Sequence, residues 1–335
     1  MSVADAGRFT EQTMTAAMHQ VAAGLGVSAG DARLLHLTNN AVFALPSAAI
    51  VIRIARTHRL HDRVSKVVRL AQWFAHVDAP AIRLAADVEQ PVQVGRLLAS
   101  VWKYVPPTSP APTAEDLGRA LREFHTPSVP PFPLPVWDPV GDARRRLDEA
   151  EGLGDHARGF LVGWCDRLEP RLAALRCATE GQLIHGDAHV GNLLREPSGR
   201  VVLCDFDATC VGPRQVDLVA VAVGEARFGG DGSYRSLVDS YGCDVTTDPN
   251  WSLLRETREL KMIAAAVPLL ASSANIVHEF TTRLQSVMEG DHQARWTPFA
   301  KLISGKLPSP ARARSAVSSK ALLSVELPDQ RPTRG

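Results

Sequence analysis

The chain has 335 residues, 45% of them hydrophobic, which allows one large domain or two modest lobes around a substantial core. Lys and Arg number 37 against 36 Asp and Glu. That balance excludes the broad basic field of a nucleic-acid-binding surface, so recognition has to be local.

Cys165, Cys177, Cys204, Cys210 and Cys243 form an odd set without C-x-x-C spacing, which speaks against a disulfide framework and a zinc site and for a reducing compartment. The first thirty residues scatter Asp5, Glu11 and His19 among small residues, unlike a signal peptide. No apolar run reaches the length of a spanning helix. A cytoplasmic protein without membrane or nucleic-acid partners is expected, its oligomeric state open.

In chain order, Met14, Ala17, Met18 and Val21 recur at helical spacing before Gly24 and Gly26, predicting an amphipathic helix over residues 10–25. Arg33 to Leu37, Ala41 to Leu45 and Ala49 to Ala55 then read as three strands of an antiparallel meander. Thr38, Asn39 and Asn40 form the first turn, Pro46 and Ser47 the second. Val64, Val67, Val68, Ala71 and Phe74 share one helical face. Two further strands follow among Ala81 to Leu84, Val92 to Val94 and Leu97 to Trp102, ending abruptly at Lys103-Tyr104-Val105-Pro106-Pro107.

Thr108 to Thr113 has the composition of a linker, and Thr113-Ala-Glu-Asp116 resembles a capping box opening a helix to His125. Pro127 to Pro139 reads as an extended surface segment. Helices are expected near 141–151 and 157–175, the second carrying Phe160, Trp164, Leu168 and Leu172. Beyond the central motif, Gln215 and Asp217 open another helix, and Glu225 to Gly232 reads as a mobile glycine-rich loop. Leu253 to Val277 reads as an apolar-faced helix or helix pair broken at Pro268. Within it Glu256 and Glu259 suggest a solvated, ion-paired face. Val277 to Met288 is another helix, Arg295 to Phe299 closes the lobe, and residues 308–335 have the composition of a disordered tail.

The densest chemistry lies in Gln182 to Asp207, Q-L-I-H-G-D-A-H-V-G-N-L-L-R-E-P-S-G-R-V-V-L-C-D-F-D. Leu183-Ile184, Leu193-Leu194 and Val201 to Cys204 read as short buried strands with the polar residues at their ends. The turn at Glu196-Pro-Ser-Gly199 brings Asn192 and Asp205 onto one edge of a hairpin, and Asp187 enters from the loop before it. Two carboxylates and an amide at a strand edge make a hard oxygen site suited to Mg²⁺. His185 and His189 read as hydrogen-bonding residues that shape the loop.

The order H-x-D, Asn five residues later, then D-F-x after a hairpin resembles the catalytic loop and metal motif of protein kinases. The spelling H-G-D-A-H-V-G-N-L-L is closer to the aminoglycoside phosphotransferase and choline kinase-like branch of that superfamily. The resemblance runs over roughly residues 30–300. It implies an α+β, protein kinase-like two-lobe fold, with a small antiparallel-sheet lobe with one helix over 1–105 and a larger, mostly helical lobe over 106–307. It also implies ATP or another nucleoside triphosphate as donor, Mg²⁺ as cofactor and a small-molecule hydroxyl as acceptor. Asp187 takes the place of the catalytic base, and Asn192 and Asp205 those of the metal ligands. Asp217 reads as a structural residue holding the loop backbone.

In the small lobe the resemblance places Asn39 and Asn40 in the turn over the nucleotide phosphates, here without glycines. It makes Arg53 the phosphate-contacting cation where Lys is commoner, and Val101 to Val105 the hinge that reads the adenine edge through Lys103, Tyr104 and Val105, with Trp102 or Tyr104 closing one wall. The lobe's helix has no acid after Asp62 to pair with Arg53, and Asp207 stands where D-F-G has Gly. The missing helix acid and the Arg at the strand position leave a second reading, a nucleotide-binding pseudokinase acting through a partner.

Overall fold

The computed structural model describes residues 9–37, 40–56, 61–178, 181–230, 232–271 and 273–303. Asn39 and the expected disordered tail lie outside the described residues. Helices α1 (Glu11–Gly24) and α2 (His61–His76) accompany strands β1 (Arg33–Leu37), β2 (Asn40–Leu45), β3 (Ile50–Ala55), β4 (Val92–Val94) and β5 (Leu97–Lys103). Then come α3 (Ala114–Phe124), α4 (Pro139–Asp148), α5 (Asp155–Ala178), β6 (Gln182–Ile184), β7 (Leu193–Arg195), β8 (Val201–Leu203) and β9 (Cys210–Gly212). The described residues finish with α6 (Gln215–Phe228), α7 (Ser233–Tyr241), α8 (Trp251–Ala264), α9 (Ala274–Met288) and α10 (Phe299–Ile303). This is the expected α+β arrangement, an antiparallel sheet in the N-terminal part and helices in the C-terminal part.

The described residues divide into two compact units, the first drawn from the chain up to Pro112, Pro130–Leu134 and Asn192–Ala208, the second from Thr113–Val129, Pro135–Gly191 and Thr209 onward. In the first, five strands pair antiparallel in the order β1-β2-β3-β5-β4. Side chains alternate along β3, so Ile52 and Ile54 are fully buried with Met14, Met18 and Val21 of α1 and with Phe43, while Arg53 faces the other way. Its register neighbours are Val42 and Ser100. Helix α1 starts at a reciprocal capping box between Thr10 and Thr13. Helix α2 buries Val67, Val68, Leu70, Ala71 and Phe74, and Phe74 packs at a tilt against Phe206 of the D-F-D motif, with ring centroids 4.8 Å apart. That contact anchors the motif to the helix.

In the second unit α3 opens at the predicted capping box, Thr113 and Asp116 bonding each other's backbone N–H groups. It packs on α7 closely enough that a Cβ at Gly118 would lie 2.7 Å from the Leu237 carbonyl, so glycine lets the helices approach. Leu161, Trp164, Leu168 and Leu172 of α5 are buried. Helix α8 packs against α4, α5, α6 and α9.

Two expectations shift and a third is met. Glu225 to Phe228 is the last turn of α6 rather than a loop, because Arg227 is buried in an ion pair with Glu259. The stretch expected as a helix or helix pair broken at Pro268 is the pair, α8 and α9, with a 3₁₀ turn at the proline, whose ring cannot continue α8. Strand β6 pairs with the unanticipated β9. Among the described residues no helix is long and apolar enough to cross a membrane.

Candidate active site

In the second unit, the H-G-D loop starts where β6 leaves β9. Gly186 adopts φ +79°, a conformation open to glycine, and the chain reverses there. Asp217, fully buried on the first turn of α6, accepts the His185 N–H at 2.7 Å on Oδ2 and the Gly186 N–H at 2.8 Å on Oδ1. Its Oδ2 is also 3.0 Å from His125 Nε2, and His125 Nδ1 is 3.0 Å from the Tyr241 hydroxyl. Burial pushes the Asp217 carboxyl pKa up, but the His125 hydrogen bond and charge and the loop N–H groups outweigh it and hold it below the ordinary range. His185, itself buried, accepts the Asp187 N–H on Nδ1 at 3.3 Å. The loop backbone ahead of Asp187 is therefore clamped from both sides.

Asp187 Oδ1 lies 3.2 Å from Lys261 Nζ and 3.8 Å from Arg258 Nη1, both on α8. Lys261 Nζ also donates to the Gly186 carbonyl at 2.9 Å. Burial would raise the Asp187 pKa, yet Lys261 first and Arg258 second more than reverse that and hold the carboxyl well below the usual range. His189 Nε2 stands 4.0 Å from Asp187 Oδ2, and burial lowers its pKa to about 4, so it is neutral near pH 7. The result is an ionised, weakly basic carboxylate, able to accept a hydrogen bond from a hydroxyl.

In the first unit, the β7–β8 hairpin turns at Gly199, whose N–H donates to the Glu196 carbonyl at 2.8 Å. At its base the Cys204 N–H donates to the Asn192 carbonyl at 2.9 Å, which sets Asn192 beside Asp205. Asn192 is buried, whereas Asp205 takes φ +65° and leaves half its side chain exposed. Asn192 and Asp205, an amide and a half-exposed carboxylate on adjoining backbone, are hard oxygen donors too few to fill a shell, which fits a Mg²⁺ ion that completes it with water and phosphate oxygens.

Arg53 points to the same place. Its Nη2 is 2.6 Å from Asp207 Oδ2 and 3.4 Å from Asp205 Oδ1. The Asn40 amide, with its oxygen turned toward the guanidinium, accepts from Nε at 3.3 Å and from Nη2 at 2.7 Å. Lys66 of α2 donates to the Asp207 carbonyl at 2.6 Å, and Arg63 Nη1 is 4.0 Å from Asp207 Oδ2. Burial pulls the Arg53 pKa down, but Asp207 and Asp205 outweigh it and raise it, so the charge is permanent. Three cations around two carboxylates give the cluster an excess of positive charge.

The sequence signature of the phosphotransferase enzyme family spans residues 34–257, about two-thirds of the chain and every residue of both clusters except Lys261 and Arg258. The chain belongs to the phosphotransferase enzyme family. It is a phosphotransferase, and solved structures of similar fold are small-molecule kinases. A microcompartment-associated aminopropanol kinase superimposes with a TM-score of 0.64 at 19% identity, over 84% of this chain and 100% of its own. An aminoglycoside phosphotransferase from Streptomyces rimosus gives 0.56 at 17%, over 74% and 98%. A choline/ethanolamine kinase family protein from Mesorhizobium loti gives 0.56 at 15%, over 83% and 96%. No functionally curated protein matches the sequence.

Of the residues predicted for this phosphotransferase, Arg53, Asn40 and Asp205 come together, Asn192 stands beside Asp205, and Asn39 lies outside the described residues. In the hinge segment the N–H groups of Lys103 and Tyr104 donate to the carbonyls of Arg83 and Ala49, both at 2.9 Å. Neither N–H is open to a base edge. Trp102 is core, its indole N–H held by Ser100 Oγ at 2.8 Å. Sequence reasoning missed Arg258 and Lys261, whose R-x-x-K spacing puts two cations on one helical face, and Lys66, which lies a turn beyond Asp62. It also gave Asp207 too small a part. Of the two α8 acids, Glu256 meets Arg171 at the surface as expected, but Glu259 is buried against Arg227 and Arg255.

Proposed function

We propose that this phosphotransferase moves the γ-phosphoryl group of a nucleoside triphosphate to a hydroxyl of a small molecule in the cytoplasm. The observation that carries the reading is Asp187, kept ionised by Lys261 and Arg258 on a loop whose backbone is fixed by Asp217, five residues ahead of Asn192. Nucleotide handling is assigned to residues 1–105 with the hairpin that carries Asn192 and Asp205, and acceptor handling to the helical remainder. A nucleotide as donor is supported by a relative solved as its complex with GDP and kanamycin, with a TM-score of 0.57 at 16% identity over 84% of this chain and 100% of its own.

Asp187 accepts a hydrogen bond from the acceptor hydroxyl and aligns its oxygen. As the new bond from that oxygen to the γ-phosphorus forms, the bond from phosphorus to the bridging oxygen breaks. The nucleoside diphosphate leaves with the electron pair, and the hydroxyl proton passes to the Asp187 carboxylate and on to solvent. Arg53, with Lys66 and Arg63 behind it, offsets negative charge on the phosphates. Asn192 and Asp205 would hold Mg²⁺, which when bound neutralises phosphate charge. In the hinge the base edge is read by the Val105 N–H and by carbonyls of the Lys103 to Val105 segment.

The pseudokinase alternative rests on the missing helix acid and on the Arg at the strand position. Asp207 supplies the counter-charge that the helix acid would give Arg53, which favours the enzyme reading. Incubating the full chain with Mg²⁺ and ATP or GTP and a panel of hydroxyl compounds, with mass detection of phosphorylated product, tests the reading. Product whose formation depends on acceptor supports it, and phosphate release to water alone contradicts it.

A further inference from the structure

We infer that the acceptor is an anionic hydroxyl compound, its hydroxyl held by Asp187 and its carboxylate or phosphate group by Lys261, an inference that rests on the phosphotransfer reading. An ammonium group has three donors. Among the described residues Lys261 Nζ makes two hydrogen bonds, to Gly186 and Asp187, and a third of its side chain is exposed. One donor is left for a ligand.

Geometry then fixes what that donor meets. A hydroxyl bonded to the Asp187 carboxylate at about 2.7 Å lies within roughly 6 Å of Lys261 Nζ when it shares Oδ1, since the ammonium is 3.2 Å from that oxygen. A charged group on a carbon next to the one that bears the hydroxyl can therefore reach hydrogen-bonding range of Lys261. The charges nearby make that group an anion. Asp187 is already faced by two cations, and His189 beside it is neutral. Asp217 is fully buried and matched by His125 and two loop N–H groups.

The acids of α8 are matched too. Glu256 takes three contacts of 3.0 to 3.2 Å from the Arg171 guanidinium, and Glu259 is buried with Arg227 and Arg255, each at 2.9 Å. A polyamine acceptor finds on this helix a cation where it needs a carboxylate, while a hydroxy acid finds its complement. The transfer itself is unchanged: the acceptor oxygen gains the phosphoryl group, the nucleoside diphosphate leaves and the hydroxyl proton passes through Asp187.

The test measures kcat/KM of the full chain with Mg²⁺ and ATP or GTP on four sets of small hydroxyl compounds: hydroxycarboxylates, sugar phosphates, neutral diols and amino alcohols with aminoglycosides. An anionic set should exceed the amino set at least tenfold, and the two anionic arms show which group Lys261 prefers. In Lys261→Gln the ratio of the anionic substrate to the matching diol should fall at least tenfold, and Lys261→Arg should recover most of it. Preference for the amino set, or an unchanged ratio in Lys261→Gln, overturns the assignment of an anionic acceptor while leaving phosphotransfer intact. Absence of phosphorylated product with every set overturns the phosphotransfer reading and this inference together.

Discussion

Arg53 Nη2 and Asp207 Oδ2 lie 2.6 Å apart, joining the third strand of the sheet to the last residue of the D-F-D motif. Both side chains are mostly shielded, at 16% and 21% exposure, so neither charge is well solvated by water alone. The pair gives the strand cation the counter-ion that α2 lacks. Asp207→Ala should lower stability by about 1–3 kcal/mol, the cost of leaving a shielded charge without its partner. It should also weaken Mg²⁺-nucleotide binding several-fold, because Arg53 would swing to Asp205. Thermal unfolding and titration calorimetry measure the two effects, and wild-type values in both would remove the pair from the account.

Arg53→Lys separates charge from shape. Lysine keeps one positive charge but cannot contact Asp207, Asp205 and Asn40 through one planar fork. Nucleotide affinity should fall about three- to tenfold at constant pH, roughly 1 kcal/mol, for the loss of one such contact. Titration calorimetry with the nucleotide checks this.

Much of this was legible in the sequence. The H-G-D and D-F-D spacing marked a loop after β6 and a hairpin at β7–β8, both present, because strand ends and turn residues fix local geometry over a few positions. The α3 capping box and the period of α5 were readable for the same reason. What escaped came from long-range pairing. Nothing near Asp187 announces that Lys261, 74 residues later, approaches its carboxylate. Asp207 looked like a variant glycine position until β3 brought Arg53 beside it from 154 residues away. Glu259 looked solvated because its neighbours in sequence are charged, yet Arg227 of α6 draws it into the interior.

Asp217 clamps the loop from beneath. Asp217→Ala should cost about 3–5 kcal/mol, since the buried His185 N–H, the half-buried Gly186 N–H and His125 lose their common acceptor. Asp217→Asn keeps the shape but presents one acceptor oxygen, so it should lose less stability while its turnover still falls. Thermal unfolding and kcat, measured side by side for both variants, distinguish loop geometry from global unfolding.

The fold should lose stability between about pH 6.5 and pH 4 through His189. Its folded pKa is about 4 against an ordinary 6.5, so in that window the unfolded chain binds the proton and the folded chain does not. Stability therefore rises with pH across the window, by up to roughly 3 kcal/mol at its upper end. His189→Gln should flatten the dependence. Denaturant midpoints at intervals from pH 4 to 8 for both proteins measure it.

The central claim is that Asp187 orients the acceptor hydroxyl, and Asp187→Asn tests it with the least change of shape. The variant should keep its circular dichroism spectrum and bind Mg²⁺-nucleotide within about threefold of wild type, while phosphotransfer falls about 10²- to 10⁴-fold. Phosphotransfer within tenfold of wild type in a folded, nucleotide-binding Asp187→Asn protein would contradict the account.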